Sequence, residues 1–265
     1  MQKLLLSHIM IILLSLGGCG PKAEDHNAIL IGTIAGPETE LVEVVKDVAK
    51  KQYDLDVHIV PFNDYVEPNR ALAEGEINAN MFQHQPYLDE VVASQKYPLI
   101  SIGALFIYPM GVYSDKYKDI TELKSGATVV IPNDVSNQER SLLLLEKAGL
   151  IKLKTDPEGH LNKFDVIENP KNIKFEEVDP AFMVRMLPDV DLAVINTNYA
   201  AMAGLLPSRD ALFVEDKESK YANILVIREE DKDQEKFKLL LQAFHSDEVV
   251  KQAAKQFQNQ AIVAW

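Results

Sequence analysis

A single cysteine, Cys19, stands in a chain of 265 residues. No internal disulfide can close in an oxidising compartment, so the fold must be held by packed cores alone. Basic side chains are also scarce: 27 face 40 acidic ones, for a formal net charge of −13. That balance disfavours nucleic acid as a partner and leaves no basic patch for anionic lipid. His26, His58, His84, His160 and His245 are widely spread, with no His-rich loop and no HExxH pair, so no metal site is indicated. There is no GxSxG, no Gly-rich phosphate loop, and no carboxylate pair set apart from the scattered acids. These absences argue against an enzyme and against a cofactor. The apolar run from Leu4 to Leu16 falls short of the ~20 residues that a spanning helix needs. Low-complexity tracts and internal repeats are missing as well.

The N-terminus carries the first positive signal. Met1-Gln2-Lys3, the short apolar run and the small pair Gly17-Gly18 have the layout of a secretory signal. Leu16-Gly17-Gly18-Cys19 also has the form of a bacterial lipobox, in which the cysteine is alkylated with diacylglycerol and becomes the first mature residue. The expectation is a signal peptide over residues 1–18 and a lipidated tether over 19–27, whose polar, turn-rich composition reads as flexible. The product is a soluble domain anchored by lipid on Cys19 in the cell envelope, facing the periplasm or the exterior.

The remaining chain is natural for two lobes of ~100–130 residues each. Ala28–Ile34 reads as a buried strand, and Leu41, Val44, Val45, Val48 and Ala49 follow at helical spacing. Glu38, Glu40, Glu43 and Asp47 on that helix read as a solvated face. Further strands are indicated at 57–62 and 77–82, each followed by a helix, which implies parallel strands with crossover helices. Ile100 to Tyr113, with Pro109 in its middle, reads as a passage between lobes. The pattern then restarts with strands at 128–131, 173–178, 192–195 and 224–227, and two helices close the chain. The reading is an α/β protein with two lobes around a ligand cleft. Lobe 1 takes 28–108 and 213–265, and lobe 2 takes 109–212, each boundary within about ten residues. Ligands of open α/β sheets sit outside the carboxyl ends of the strands.

Chemistry-bearing residues gather at such ends. Pro132 to Arg140 leaves a strand and enters a helix expected over 140–147, with Arg140 in its first turn. Its planar fork can grip a carboxylate with two bonds, although it opposes the helix dipole there. A salt bridge to Glu139 or another acid is the alternative. Asn196 and Asn223 flank buried strands with amides that suit a zwitterion; turn formation is the alternative. Tyr65, Phe82, His84 and Tyr108 place rings nearby that can clasp an apolar or thioether side chain, or simply pack in a core.

These blocks carry a resemblance. FNDYVEPNRAL, INANMFQHQPYLD, VVIPNDVSNQERSLLLLEKAGLIKL, VIENPKNIKF, LAVINTNYA and FVEDKESKYANILVIRE are similar to the NlpA family of methionine-binding lipoproteins, over nearly the whole chain after Cys19. The resemblance implies a periplasmic-binding-protein fold and a role as substrate-binding component of a methionine ABC importer, with a permease and its ATPase subunit as partners. It implies that Arg140 binds the ligand carboxylate, that Asn137, Asn196 and Asn223 hold the amino-acid backbone, and that Tyr65, Phe82, His84 and Tyr108 form the side-chain pocket. Ser136 departs from the family's usual threonine, and Ala264 precedes Trp265 where glycine is frequent. L-methionine, D-methionine and short methionine peptides remain open as ligands. So do another apolar amino acid and a surface adhesion or signalling role on the same fold.

Overall fold

The computed structural model describes residues 27–265. The expected signal peptide, the lipidation of Cys19 and all but the last residue of the tether lie outside the described residues. The first lobe opens with β1 (Ala28–Ile34), α1 (Pro37–Tyr53), β2 (Asp56–Phe62), α2 (Glu67–Ala73), β3 (Ala79–His84), α3 (Gln85–Gln95) and β4 (Leu99–Ile107). The second lobe contains β5 (Gly111–Tyr113), β6 (Thr128–Pro132), α4 (Val135–Lys147), β7 (Lys152–Leu153), β8 (Val166–Glu168), β9 (Lys174–Val178), α5 (Met183–Met186), β10 (Leu192–Ile195), α6 (Thr197–Met202), α7 (Pro207–Asp210) and β11 (Phe213–Val214). The chain then returns to the first sheet with β12 (Ala222–Arg228), α8 (Glu235–Phe244), α9 (Asp247–Gln256) and β13 (Ile262–Val263).

The first sheet runs in the order β13-β4-β12-β3-β1-β2 and the second in the order β11-β5-β10-β6-β9. β1, β2 and β3 are parallel, as are β6, β9 and β10. Those are the strand–helix–strand stretches from which crossovers were expected. The sheets are nevertheless mixed. β12 lies antiparallel between β3 and β4, and β5 lies antiparallel between β10 and β11. The chain thus passes between the two sheets twice, over residues 108–110 and 215–221.

Burial explains the elements. β1 is buried on both faces over residues 31–34, which permits its apolar run there, while Leu30 nearer its start is exposed. Leu41, Val42, Val45, Val48 and Ala49 form the buried stripe of α1, with Pro37 at its start and Asp54 closing it in the left-handed conformation. One core joins this stripe to Leu105, Leu225, Phe237, Phe244 and Phe257. A second joins Val112, Val129, Ile131, Leu142, Leu145 and Val194. Each such side chain contributes ~1.5–3 kcal/mol on burial. A third cluster spans the lobes: Ile34, Tyr65, Phe82 and Tyr87 meet Tyr113, Met183, Ile195 and Tyr199.

One local reading changes. α4 begins at Val135 rather than Arg140, because the Asp134 carboxylate caps it by accepting from the backbone N–H of Asn137 at 2.9 Å. Arg140 therefore stands in the second turn, where the dipole opposes it less. Asp179 leads into one 3-10 turn, Pro180–Phe182, which continues into the short α5.

Candidate ligand-binding site

The carboxyl ends of β2, β3, β6 and β10 point to one cavity between the lobes. Its cavity volume is about 30 Å³, room for about two water molecules between the lobes as they stand. Tyr65, Phe82, His84, Tyr108, Asn137, Arg140, Asn196 and Asn223 all line it. Parallel strands explain why residues so distant in sequence converge: their ends share one edge of each sheet, and the two edges face each other.

Asn137 organises the polar wall. Its amide nitrogen donates to both Asp134 oxygens, at 3.0 and 3.1 Å. Its carbonyl therefore faces the cavity side and accepts from Asn196 Nδ2 at 2.9 Å. His84 Nε2 lies 3.2 Å from the same oxygen and must donate to it, while His84 Nδ1 accepts from the Tyr87 backbone N–H. The imidazole is thus neutral with its proton on Nε2. Burial, and then the Arg140 charge, pushes its pKa down to about 3.

Arg140 is 4 % exposed and is held on several edges. Nε donates to Glu215 Oε1 at 3.0 Å, and Nη2 donates to Glu215 Oε2 at 2.5 Å and to the Tyr108 carbonyl at 3.0 Å. The guanidinium lies 4.6 Å over the Tyr221 ring. The salt-bridge alternative is thus realised together with cavity lining, but the partner is Glu215. Glu139 instead accepts from Lys220 at 3.2 Å and lies 3.0 Å from His160.

The rings divide into two groups. Tyr65, Phe82 and Tyr87 form a cluster with centroids 5.8–6.1 Å apart, and Tyr199 joins Tyr65 at 5.1 Å. Tyr108 lines the same cavity, but its ring packs on Phe257 at 4.6 Å and on Phe106, within the core of the first lobe. Its contribution to the site is a buried hydroxyl rather than a ring face. Burial raises the phenols of Tyr65, Tyr87 and Tyr108, so all three stay neutral.

Several lining residues escaped the sequence reading: Glu38, Gln83, Tyr87, Thr197 and Asn198. Glu38 corrects an expectation outright, since it is buried rather than part of a solvated face. A signal was present. Glu38 precedes Leu41, Val42 and Val45 by three, four and seven positions, so it belongs to the apolar stripe of α1. Its Oε1 accepts from Asn223 Nδ2 at 3.1 Å. Burial holds the Glu38 carboxyl well above the usual carboxylate range, against the opposing pull of Asn223. Among the described residues, no group of three or more His, Cys, Asp or Glu side chains is placed to hold a metal ion, and no helix is long and apolar enough to cross a membrane.

Two α/β lobes joined by two crossings, with strand ends converging on the cleft, define a periplasmic-binding-protein fold. Comparison with known proteins agrees. The NlpA lipoprotein family model matches residues 29–265. The D-methionine-binding lipoprotein MetQ of Salmonella typhi is 49 % identical over 254 residues, covering 95 % of this chain and 94 % of that protein. Among solved structures, an ABC transporter periplasmic substrate-binding protein from Coxiella burnetii superposes with a TM-score of 0.87 at 51 % identity, covering 89 % of this chain and 100 % of the other. A nutrient-binding protein from Burkholderia cenocepacia bound to methionine gives a TM-score of 0.87 at 46 % identity, with 89 % and 100 % covered. The chain belongs to the NlpA lipoprotein family.

Proposed function

We propose that this protein is the substrate-binding lipoprotein of a methionine ABC importer. One observation carries the reading. Glu38 Oε2, Tyr108 Oη, Asn196 Oδ1 and Asn198 Nδ2 are buried without a hydrogen-bond partner among the described residues, and all four residues line the cavity that Arg140 also lines. Buried polar groups left unpaired cost ~1–3 kcal/mol each. A zwitterion would satisfy three of them: its carboxylate takes Arg140 Nη1, which Glu215 leaves free, and the Asn198 amide, and its ammonium takes Glu38 and the Asn196 carbonyl. The edges of Tyr65, Phe82 and Tyr87 suit a thioether, at ~0.3–1.5 kcal/mol per sulfur–ring contact. Asn137 and Asn223 act mainly as braces, since their amide nitrogens already serve Asp134 and Glu38.

Capture works by closure. The ligand contacts both lobes at once, so it stabilises the closed form over an open one. The closed protein docks on the permease, whose ATPase subunit drives release; no nucleotide-binding motif occurs in this chain. Lipid on Cys19 keeps the domain at the membrane surface of the envelope and raises its effective concentration at the permease. The site holds and releases its ligand without chemistry, so the protein is not an enzyme.

Mass spectrometry of denatured, purified protein identifies any ligand carried through purification. Once that ligand is removed, methionine of the bound hand at 100 times its dissociation constant should stabilise the fold by ~2.7 kcal/mol. No stabilisation by either hand of methionine, alongside stabilisation by another apolar amino acid, overturns the methionine assignment.

A further inference from the structure

Glu215 does not line the ligand cavity; with Arg140, Lys147 and Tyr221 it lines a separate depression. It is the first residue of the second crossing between lobes, and its bonds bind the two crossings together. Its backbone N–H donates to the Met110 carbonyl at 2.9 Å, and its Oε2 accepts from the Met110 N–H at 3.1 Å. Its Oε1 accepts from Ser219 Oγ at 3.2 Å, further along its own crossing. Both oxygens also hold Arg140, which in turn donates to Tyr108 of the first crossing and lies over Tyr221 of the second. Nη1 makes no hydrogen bond among the described residues, and it is the edge left for a carboxylate.

We infer that Glu215 is a positioning residue for ligand capture, which locks the Arg140 fork to both interlobe crossings so that carboxylate binding and lobe geometry are set together. This rests on the reading of the cavity as an amino-acid site. The physical reason is competition between orientation and charge. An unbraced arginine has a long, flexible stem and could follow a carboxylate in many poses. A bidentate carboxylate behind it fixes the plane of the fork and cancels much of its charge. The cavity then selects by geometry rather than by bare attraction.

Two variants test this. Glu215→Gln places an amide donor against the donors of Arg140 and Met110. Glu215→Asp keeps the charge but is one methylene too short to reach both, and serves where the first variant unfolds. By analogy with outer-shell partners of ligating groups, affinity for methionine should fall about 10–100-fold. Affinity for methionine amide, which lacks the carboxylate, should change far less. In an Arg140→Ala background the Glu215 substitution should add almost nothing. A purely structural role would weaken both ligands equally, and that result, or unchanged methionine affinity, overturns the inference. A wild type that ignores methionine sinks the ligand assignment instead. Glu215 is then judged without ligand, by the distance distribution between spin labels at Lys51→Cys and Lys124→Cys, both exposed and on different lobes. Glu215→Gln should broaden it toward longer distances; an identical distribution overturns the inference.

Discussion

Asn223 donates from Nδ2 to Glu38 Oε1 at 3.1 Å, joining β12 to the first turn of α1 across 185 positions of sequence. The bond fills one oxygen of a buried carboxyl and leaves the other without a partner. Tyr65, Tyr108, Arg140 and His84 line the same cavity.

This environment predicts proton release on binding. Burial raises the Glu38 carboxyl in the empty site, so its contribution to stability is full below the unfolded pKa and is lost as pH rises through the folded one. A ligand ammonium pulls the pKa back down. Binding between those two values expels a proton, and affinity falls as pH drops. Calorimetry in buffers of different ionisation enthalpy should count that proton. Glu38→Gln should abolish it, weaken methionine by ~1.5–3 kcal/mol and raise the melting temperature of the ligand-free protein at neutral pH. A release unchanged in Glu38→Gln would assign the proton to another group.

His84 carries the opposite sign. Its pKa is lowered from 6.5 to about 3, so the unfolded chain binds a proton that the folded one refuses. Stability from this residue is full above the unfolded value and declines as pH falls toward the folded one. His84→Gln should flatten the acid side of the stability curve over that range. Nitrogen NMR of the imidazole should find the Nε2-protonated tautomer throughout pH 5–8, and an imidazolium signal in that window contradicts the assignment.

Arg140→Ala removes the fork and leaves the half-buried Glu215 without its cationic partner. Ligand affinity should fall by ~3–5 kcal/mol, with a lower melting temperature as well. Titration calorimetry at neutral pH decides, and near-normal affinity removes Arg140 from the site.

Tyr65 donates to Asn198 Oδ1 at 2.7 Å across the cleft. Tyr65→Phe keeps the ring beside Phe82 and Tyr87 but deletes this bond between lobes. The expected loss is ~0.5–1.5 kcal/mol of binding, read as faster ligand dissociation in stopped-flow with little change in melting temperature. A dissociation rate equal to wild type would mean that the bond contributes nothing to closure.

Legibility followed the range of the interaction. Arg140 and Asn196 could be found because each follows a buried apolar run, and parallel strands bring such ends together; Asn137 was indicated only by the family resemblance. α4 starts at Val135 and not at Arg140 because the Asp134 cap, rather than the apolar run, sets its first turn. Glu38 sat in plain view on the apolar stripe of α1, yet it counted as one more surface acid among several. Tyr108 was recognised as a ring but not as a hydroxyl, since its neighbours Phe106 and Phe257 come from distant elements.

From the amino-acid order alone came the strands, the buried helix faces, the two-lobed α/β plan and the residues that meet at the cleft. All of these depend on apolar periodicity and on chain direction, which are local. Tertiary structure alone decided that Glu215 rather than Glu139 braces Arg140, that Glu38 is buried, and that His84 is neutral. Partner choice and charge state depend on which groups lose water together, and that is settled only when segments far apart in the chain close over one another.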